Sequence, residues 1–332
     1  MIRYVPDRVV RTAIRANCAR RLRTEQRGGA ARQRAFVMEL RRSPIAEQVE
    51  KPNQQHYELP AHFFALVLGP RLKYSCCYWP EGIETIAQAE EAMLALTCER
   101  AGVEDGMELL DLGCGWGSLS FWLAERYPAT RILAVSNSRV QRAFVEGEIA
   151  RRRIRNLEVQ TADANVFDTD RRFDRVISVE MLEHMRNYEE LLARIASWLH
   201  PGGRFFAHVF SHREFAYPYT SSWMARRFFT AGTMPSHDLL LEFQHDLRLV
   251  ERWVVEGTHY ARTSEAWLEQ LDQRRGQILP VLAATYGTAQ GKRWLSYWRI
   301  FFMSCAELWG YRNGGEWMVS HYLFDLEATT TP

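Results

Sequence analysis

Glu180, Glu183 and His184 follow directly on the apolar run Val176-Ile177-Ser178-Val179 in the segment VISVEMLEHMRNY. If a helix begins where that strand ends, positions i, i+3 and i+4 share one face, and two carboxylates and an imidazole project together from a sheet edge. An imidazole titrating near pH 6.5 can accept a proton, while carboxylates beside it attract a cation and raise its basicity. Such a trio is expensive to leave unpaired at a sheet edge and asks for a chemical role. A metal site is the competing chemistry, but it would need a further ligand. A solvated helix face with one capping Glu is the non-catalytic alternative.

A second constellation precedes it. LLDLGCGWGSLS puts Asp111, Gly113, Gly115 and Gly117 between an apolar run and a helical pattern. Glycines there permit a sharp turn and close approach of a ligand, and a helix N-terminus favours anionic groups. The dinucleotide fingerprint asks for Gly or Ala at the sixth position and for an acidic residue ending the second strand, about 20 residues on. Here the sixth position is Ser118 and the second strand ends AVSNS, so a nicotinamide dinucleotide is disfavoured.

The elements that must carry these groups alternate. MELLDL, RILAVSNS, LEVQTADA, FDRVISVE and RFFAHVFS read as strands. Between them SLSFWLAERYP, RVQRAFVEGEIARRR and MLEHMRNYEELLARIASWLHPGG read as helices, the last stopped by Pro-Gly-Gly. This alternation predicts an α/β doubly wound sheet, and such sheets bind ligands beyond the carboxyl ends of their strands. LRLVERWVVEG is a sixth strand, and EWMVSHYLF is the last. Two helices are expected over 264–309. The insertions around the sixth strand, about 212–240 and 262–312, are placed to roof the sheet edge. The expected division is a basic helical arm over 1–55, a helical cap segment over 56–100, with KPNQQHYELP as a turn-rich boundary, and a ligand-binding domain over 101–332.

Composition bounds the function. The 332 residues are 47% hydrophobic and 25% charged, as in an ordinary globular protein. There is no apolar run of about 18 residues that would span a membrane, and the N-terminus lacks the apolar core of a signal peptide. The six cysteines show no CxxC pair and no zinc spacing, which points to reduced thiols and a cytoplasmic protein. The net charge of +2 hides an asymmetry: residues 1–45 carry twelve Arg against Asp7, Glu25 and Glu39. A basic arm of +9 on a body of −7 either binds polyanions or lipid headgroups or docks on its own acidic body.

LDLGCGWGS, the following NS-x-x-Q and TADA resemble the first motifs of S-adenosylmethionine (SAM)-dependent methyltransferases. YSCCYW, VEMLEHM, AGTMPS, YWR and GEWMVSHYLF narrow the resemblance to the coclaurine N-methyltransferase family, itself similar to the cyclopropane fatty acid synthases. It runs from about Tyr57 to Phe324. The resemblance implies the SAM-methyltransferase sheet, mostly parallel with an antiparallel last strand. It also implies SAM cradled by Gly113, Gly115 and Gly117, with Asp111 at the loop. Ser136, Asn137 and Gln141 would stand near the ribose, Asp163 and Ala164 at the adenine, and Tyr74 and Ser75 would close over the cofactor. It implies N-methylation of a small alkaloid-like or arylalkyl amine, with His184 as general base, Glu183 as its partner or second base and Glu180 as amine anchor.

The runner-up that the resemblance leaves open is a cyclopropane synthase or related lipid methyltransferase. Those enzymes hold a bicarbonate base with a Cys, a Glu, a His and a Tyr; Cys76, Glu183, His208 and Tyr260 stand at the matching positions. The coclaurine-like enzymes tend to have Phe where Tyr260 stands, but the lipid enzymes usually carry Gly where this chain has Glu180, and an olefin has no proton to anchor. In an amine enzyme Cys76 and Tyr260 are expected to serve packing and pocket shape, and Trp317 has the best claim among the aromatics to contact the amine. No metal, no nucleic acid and no stable membrane insertion are expected, and a homodimer is allowed.

Overall fold

The computed structural model describes residues 5–47, 59–219, 223–228 and 232–326. The boundary expected at KPNQQHYELP, from Lys51, falls largely outside them.

Seven strands form one sheet in the order β3-β2-β1-β4-β5-β9-β8. They are β1 (Glu108–Leu112), β2 (Arg131–Ser136), β3 (Leu157–Thr161), β4 (Phe173–Val179), β5 (Leu199–His212), β8 (Leu247–Val255) and β9 (Trp317–Leu326). The pairs from β3 through β5 are parallel, and β9 runs antiparallel between β5 and β8. The expected doubly wound sheet with an antiparallel last strand is therefore the fold. Central strands such as β1 and β4 are apolar without alternation because helices cover both faces. Two cores, one on each face, contain Leu110, Val176 and Phe205 on one side and Leu109, Ile177 and Phe206 on the other.

The connecting helices begin and end where local chemistry says they should. α1 spans Asp7–Arg42, α2 Ala61–Val67, and α3 Ile86–Ala101. α3 starts with a capping box between Thr85 and Gln88 and ends at Gly102, whose φ of 62° needs no Cβ. α4 (Ser118–Arg126) stops ahead of Pro128, and α5 (Arg139–Arg152) is capped by the Ser138 hydroxyl.

Three expectations need correction. The helix expected from Met181 begins only at Tyr188, as α6 (Tyr188–Trp198), where the Asn187 side chain caps the Glu190 N–H. Leu182–His184 form a single 3₁₀ turn, so Glu180, Glu183 and His184 do not share a helix face. Pro201-Gly202-Gly203 do not terminate a helix but lie within β5, which starts at Leu199 opposite Phe173. The second insertion is three helices, not two: α8 (Gly257–Gln273), α9 (Arg275–Tyr286) and α10 (Thr288–Trp309), separated at Arg274 and at Gly287. The first insertion contains the ribbon β6 (Tyr217–Pro218) with β7 (Thr233–Met234), and α7 (Trp223–Phe228).

The basic arm docks on its own body. α1 kinks at Gly29 and lays Cys18 and Leu22 on a third core shared with α2 and the insertion helices. Phe36 and Leu40 join the core under the sheet. Its charges find acids of the body: Arg11 reaches Glu265 and Glu307, Arg15 reaches Glu307, and Arg41 reaches Glu189. Asp7 in turn receives Arg299. Burying each large apolar side chain of the arm stabilises by about 1.5–3 kcal/mol, so the docking rests on Leu22, Phe36 and Leu40 more than on partly exposed ion pairs.

Candidate active site

Two connected clefts open beyond the carboxyl ends of β1, β2 and β4, with Gly113, Gly115, Gln141 and Glu180 in the walls of both. The larger, about 870 Å³ with its mouth, is also lined by Ser136, Asn137, Asp163, Ala164 and His184. The smaller, about 640 Å³, is lined by Tyr74, Ser75, Asp111 and Ser118 among others. Ten of the eleven residues expected at the cofactor thus meet on one continuous surface. Gly117 does not: it sits at φ 80° where α4 begins, and a Cβ there would meet the Phe121 ring at 2.7 Å, so it is a turn and packing glycine.

The loop is shaped by its backbone. Gly113 and Cys114 both donate their N–H to the Val135 carbonyl, and Gly113 and Gly115 take φ of 92° and 55°. A Cβ on Gly115 would meet nothing within 4 Å, because it would point into open space. Asp111 is buried and accepts from the Ser120 hydroxyl at 2.5 Å; burial pushes its carboxyl up to about 6. Ser136 donates to Gln141 Oε1 at 2.7 Å, which leaves Gln141 Nε2 buried without a protein partner. Ser118 Oγ and Trp116 Nε1 are in the same state around the smaller cleft. Orphaned donors of this kind fit a polar ligand such as SAM, which offers a ribose, an amino group and a carboxylate.

At the end of β4 the backbone makes an unusual turn. Glu180 still donates its N–H to the His208 carbonyl at 2.8 Å, but its φ is +48°. A non-glycine residue held there costs about 1–3 kcal/mol and points to a function for the strain. The turn throws the Glu180 carboxylate back against three elements. Oε1 accepts the Cys76 N–H at 2.8 Å and lies 3.3 Å from His208 Nε2; Oε2 accepts the Tyr260 hydroxyl at 2.6 Å. Cys76 contributes its backbone, while its thiol is buried, lies against the Cys77 carbonyl and is held well above its usual range by burial.

The two glutamates differ. Burial raises both, but Lys73, the Cys76 N–H and the Tyr260 hydroxyl oppose that rise at Glu180. Glu183 is buried, its carboxylate met by backbone N–H groups, that of Phe210 on Oε1 among them, and the Glu180 charge pushes it further up. Two like charges this close do not both persist, so Glu183 holds the proton and Glu180 the charge. His184, half-buried in the larger cleft, is pushed down to about 4 by burial, against the pull of Glu180, and is neutral at pH 7.

Trp317 lies apart from both clefts. It is fully buried, donates from Nε1 to the Tyr217 hydroxyl at 2.8 Å, and acts in the core behind the site. Sequence reasoning missed Lys73, whose buried ammonium donates to the Ser75 hydroxyl at 2.5 Å in the wall of the smaller cleft. A signal existed: this is one of three lysines in a chain with 39 arginines, and it directly precedes Tyr74-Ser75. It also missed Ala46 and Glu47, where the end of the arm closes one side of the larger cleft. Ala46 is pinned there by Asn165, which accepts its N–H at 2.9 Å and donates back to its carbonyl at 3.1 Å.

Comparison with known proteins bears on the family and the fold. Residues 46–313 match the family described as mycolic acid cyclopropane synthetase. The (S)-coclaurine N-methyltransferase of Thalictrum flavum subsp. glaucum is 39% identical over 96% of this chain and 92% of its own. The crystal structure of a coclaurine N-methyltransferase bound to N-methylheliamine and S-adenosylhomocysteine superposes with a TM-score of 0.92 at 38% identity, covering 97% of this chain and 96% of that one. The cyclopropane-fatty-acyl-phospholipid synthase of Escherichia coli K12 is 29% identical over 80% of this chain and 66% of its own.

Proposed function

The chain belongs to the mycolic acid cyclopropane synthetase family and is a SAM-dependent methyltransferase, and from that premise we propose that its methyl acceptor is the nitrogen of a small alkaloid-like or arylalkyl amine of the tetrahydroisoquinoline type. The observation that carries this reading is the seating of Glu180. The donors that would surround a bicarbonate base in a lipid-modifying relative are here the Cys76 N–H, the Tyr260 hydroxyl and His208, and they converge on a carboxylate of the chain itself. A fixed, charged carboxylate beside the cofactor clefts suits an ammonium, whereas an olefin gives it nothing to bind.

SAM supplies a methyl group activated on a sulfonium, and the clefts offer Gly113, Gly115, Gln141, Asp163 and Lys73 to hold its parts. The chain's own task is to present the amine as a free base. Glu180 attracts the ammonium and orients it. The neutral His184 imidazole accepts its proton and frees the nitrogen lone pair. Glu183, kept neutral, supports the β5 backbone through Phe210 rather than acting as a second base. Holding both reactants in one pair of joined clefts provides the proximity from which most of the acceleration comes. No helix among the described residues is long and apolar enough to cross a membrane. With six buried free thiols, we read the enzyme as cytoplasmic. Arg11, Arg15 and Arg41 of the docked arm pair with acids of the body, and we expect no nucleic-acid partner.

The deciding experiment uses Glu180→Gln and Glu180→Gly with a panel of tetrahydroisoquinolines and phenethylamines against unsaturated phospholipid vesicles. Glu180→Gln weakens amine binding about 10- to 150-fold, as loss of a charge-assisted contact predicts. Glycine accepts the positive φ and leaves the three donors facing a vacated anion site, so added bicarbonate or formate restores part of the Glu180→Gly rate. Turnover confined to phospholipid, with wild-type activity dependent on bicarbonate, would overturn the amine reading.

A further inference from the structure

Behind Glu180 a line of buried polar side chains crosses β5 and β9 and ends at a residue outside both clefts. His208 and His321 are register partners on the two antiparallel strands, and His321 Nε2 lies 2.9 Å from His208 Nδ1. His321 Nδ1 lies 2.8 Å from Nη1 of Arg100, in the last turn of α3. The Arg100 guanidinium is itself seated over the Trp253 ring at 5.0 Å, on β8, where Trp253 pairs with His321. Both imidazoles are fully buried.

The chemistry of the end member fixes the direction of every bond in the line. A guanidinium can only donate, so His321 Nδ1 must accept. A neutral imidazole that accepts at Nδ1 carries its proton on Nε2, and that proton is given to His208 Nδ1. His208 then also carries its proton on Nε2 and gives it to Glu180 Oε1. Burial, with Arg100 and Lys73 nearby, holds both imidazoles well below their usual range, so neither is doubly protonated at neutral pH.

We propose that Arg100 is a positioning residue for methyl transfer: acting through His321, it locks His208 in the tautomer that donates to Glu180. Without Arg100, His321 is free to place its proton on Nδ1, His208 can take the opposite tautomer, and a lone pair instead of an N–H would face the carboxylate. Glu180 would then lose one of its three donors and be pushed to hold a proton rather than an ammonium. The kinetic part of this inference rests on the amine reading; the tautomers themselves do not.

The test combines ¹⁵N-histidine NMR of the S-adenosylhomocysteine complex with amine kinetics for Arg100→Met, His321→Leu and His321→Gln. The wild type should show His208 and His321 as Nε2–H tautomers, and Arg100→Met should shift both toward Nδ1–H. Arg100→Met and His321→Leu should lower amine kcat/KM by about tenfold with unchanged S-adenosylhomocysteine affinity. A glutamine amide can accept from Arg100 and donate to His208, so His321→Gln should recover most of what His321→Leu loses. If His321→Leu fails to fold, the other two variants still decide. An Nδ1–H tautomer at His208 in the wild type, or unaltered tautomers in Arg100→Met, overturns the proposal whatever the substrate proves to be. Absence of turnover with every amine, with the tautomers as stated, fails the amine reading and leaves the relay standing.

Discussion

The Tyr260 hydroxyl donates to Oε2 of Glu180 at 2.6 Å, tying the first turn of an insertion helix to the end of a central strand eighty positions earlier. The ring is stacked on Trp309 of the same insertion, with centroids 4.7 Å apart. The insertion thus does more than roof the site: it supplies a donor to the carboxylate.

Tyr260 was expected to serve packing and pocket shape in an amine enzyme, and this bond gives it a larger part. A hydrogen bond to a charged group contributes about 1.5–3 kcal/mol. Tyr260→Phe should accordingly lower amine kcat/KM about 10- to 150-fold with SAM affinity intact, as measured by steady-state kinetics and calorimetry. Cys76→Ala, which keeps the backbone N–H, should stay within a few-fold of wild type. The reverse order of severity would mean that the thiol, not the backbone, acts in the site.

Gly115 tests the cofactor cleft. Its open side faces the cavity and its φ is positive, so Gly115→Val both strains the turn and fills the space. SAM binding should be abolished in a protein whose circular dichroism is unchanged. Undiminished affinity measured by calorimetry would show that the cofactor lies elsewhere.

His184 sets a pH signature. Its ring is depressed to about 4, so the base is lost only as pH falls through that value and stays neutral above it. The wild-type kcat/KM profile should stay level from pH 5 up to the amine's own pKa and show no inflection near 6.5. His184→Ala should cost about 10²–10⁴ in single-turnover rate and be partly rescued at high pH. An inflection at 6.5 that disappears in this variant would put the ring in a far wetter setting.

Seen from sequence, residues 1–45 look removable without harm to the chemistry. The docked helix argues the opposite, because Leu40 is fully buried under the sheet and the segment just after it lines the larger cleft. Leu40→Ala should destabilise the fold by about 2–5 kcal/mol in denaturant titrations, and deletion of 1–45 should weaken SAM binding. A truncated protein with full stability and affinity would show that the docking contributes nothing.

The sequence by itself determined the sheet, the glycine loop and most of the residues that line the two clefts, because these depend on local signals. Apolar runs make buried parallel strands, glycines mark positive φ, and ligands gather where parallel strands end. Motifs spaced along the chain were enough to place the family. What joins Glu180 to Cys76, Tyr260 and His208 is a different kind of fact. Strand register and the return of an insertion set it, and neither is written in the spacing of the residues involved. The helix expected at Glu180 illustrates this. Local pattern favoured it, but a left-handed turn held by partners 28, 80 and 104 positions away won. Charge states follow the same rule. Glu183 and His184 have ordinary titration in the sequence, and only burial beside Glu180 makes one a neutral acid and the other a neutral base, since the cost of a charge depends on how much water the fold leaves around it.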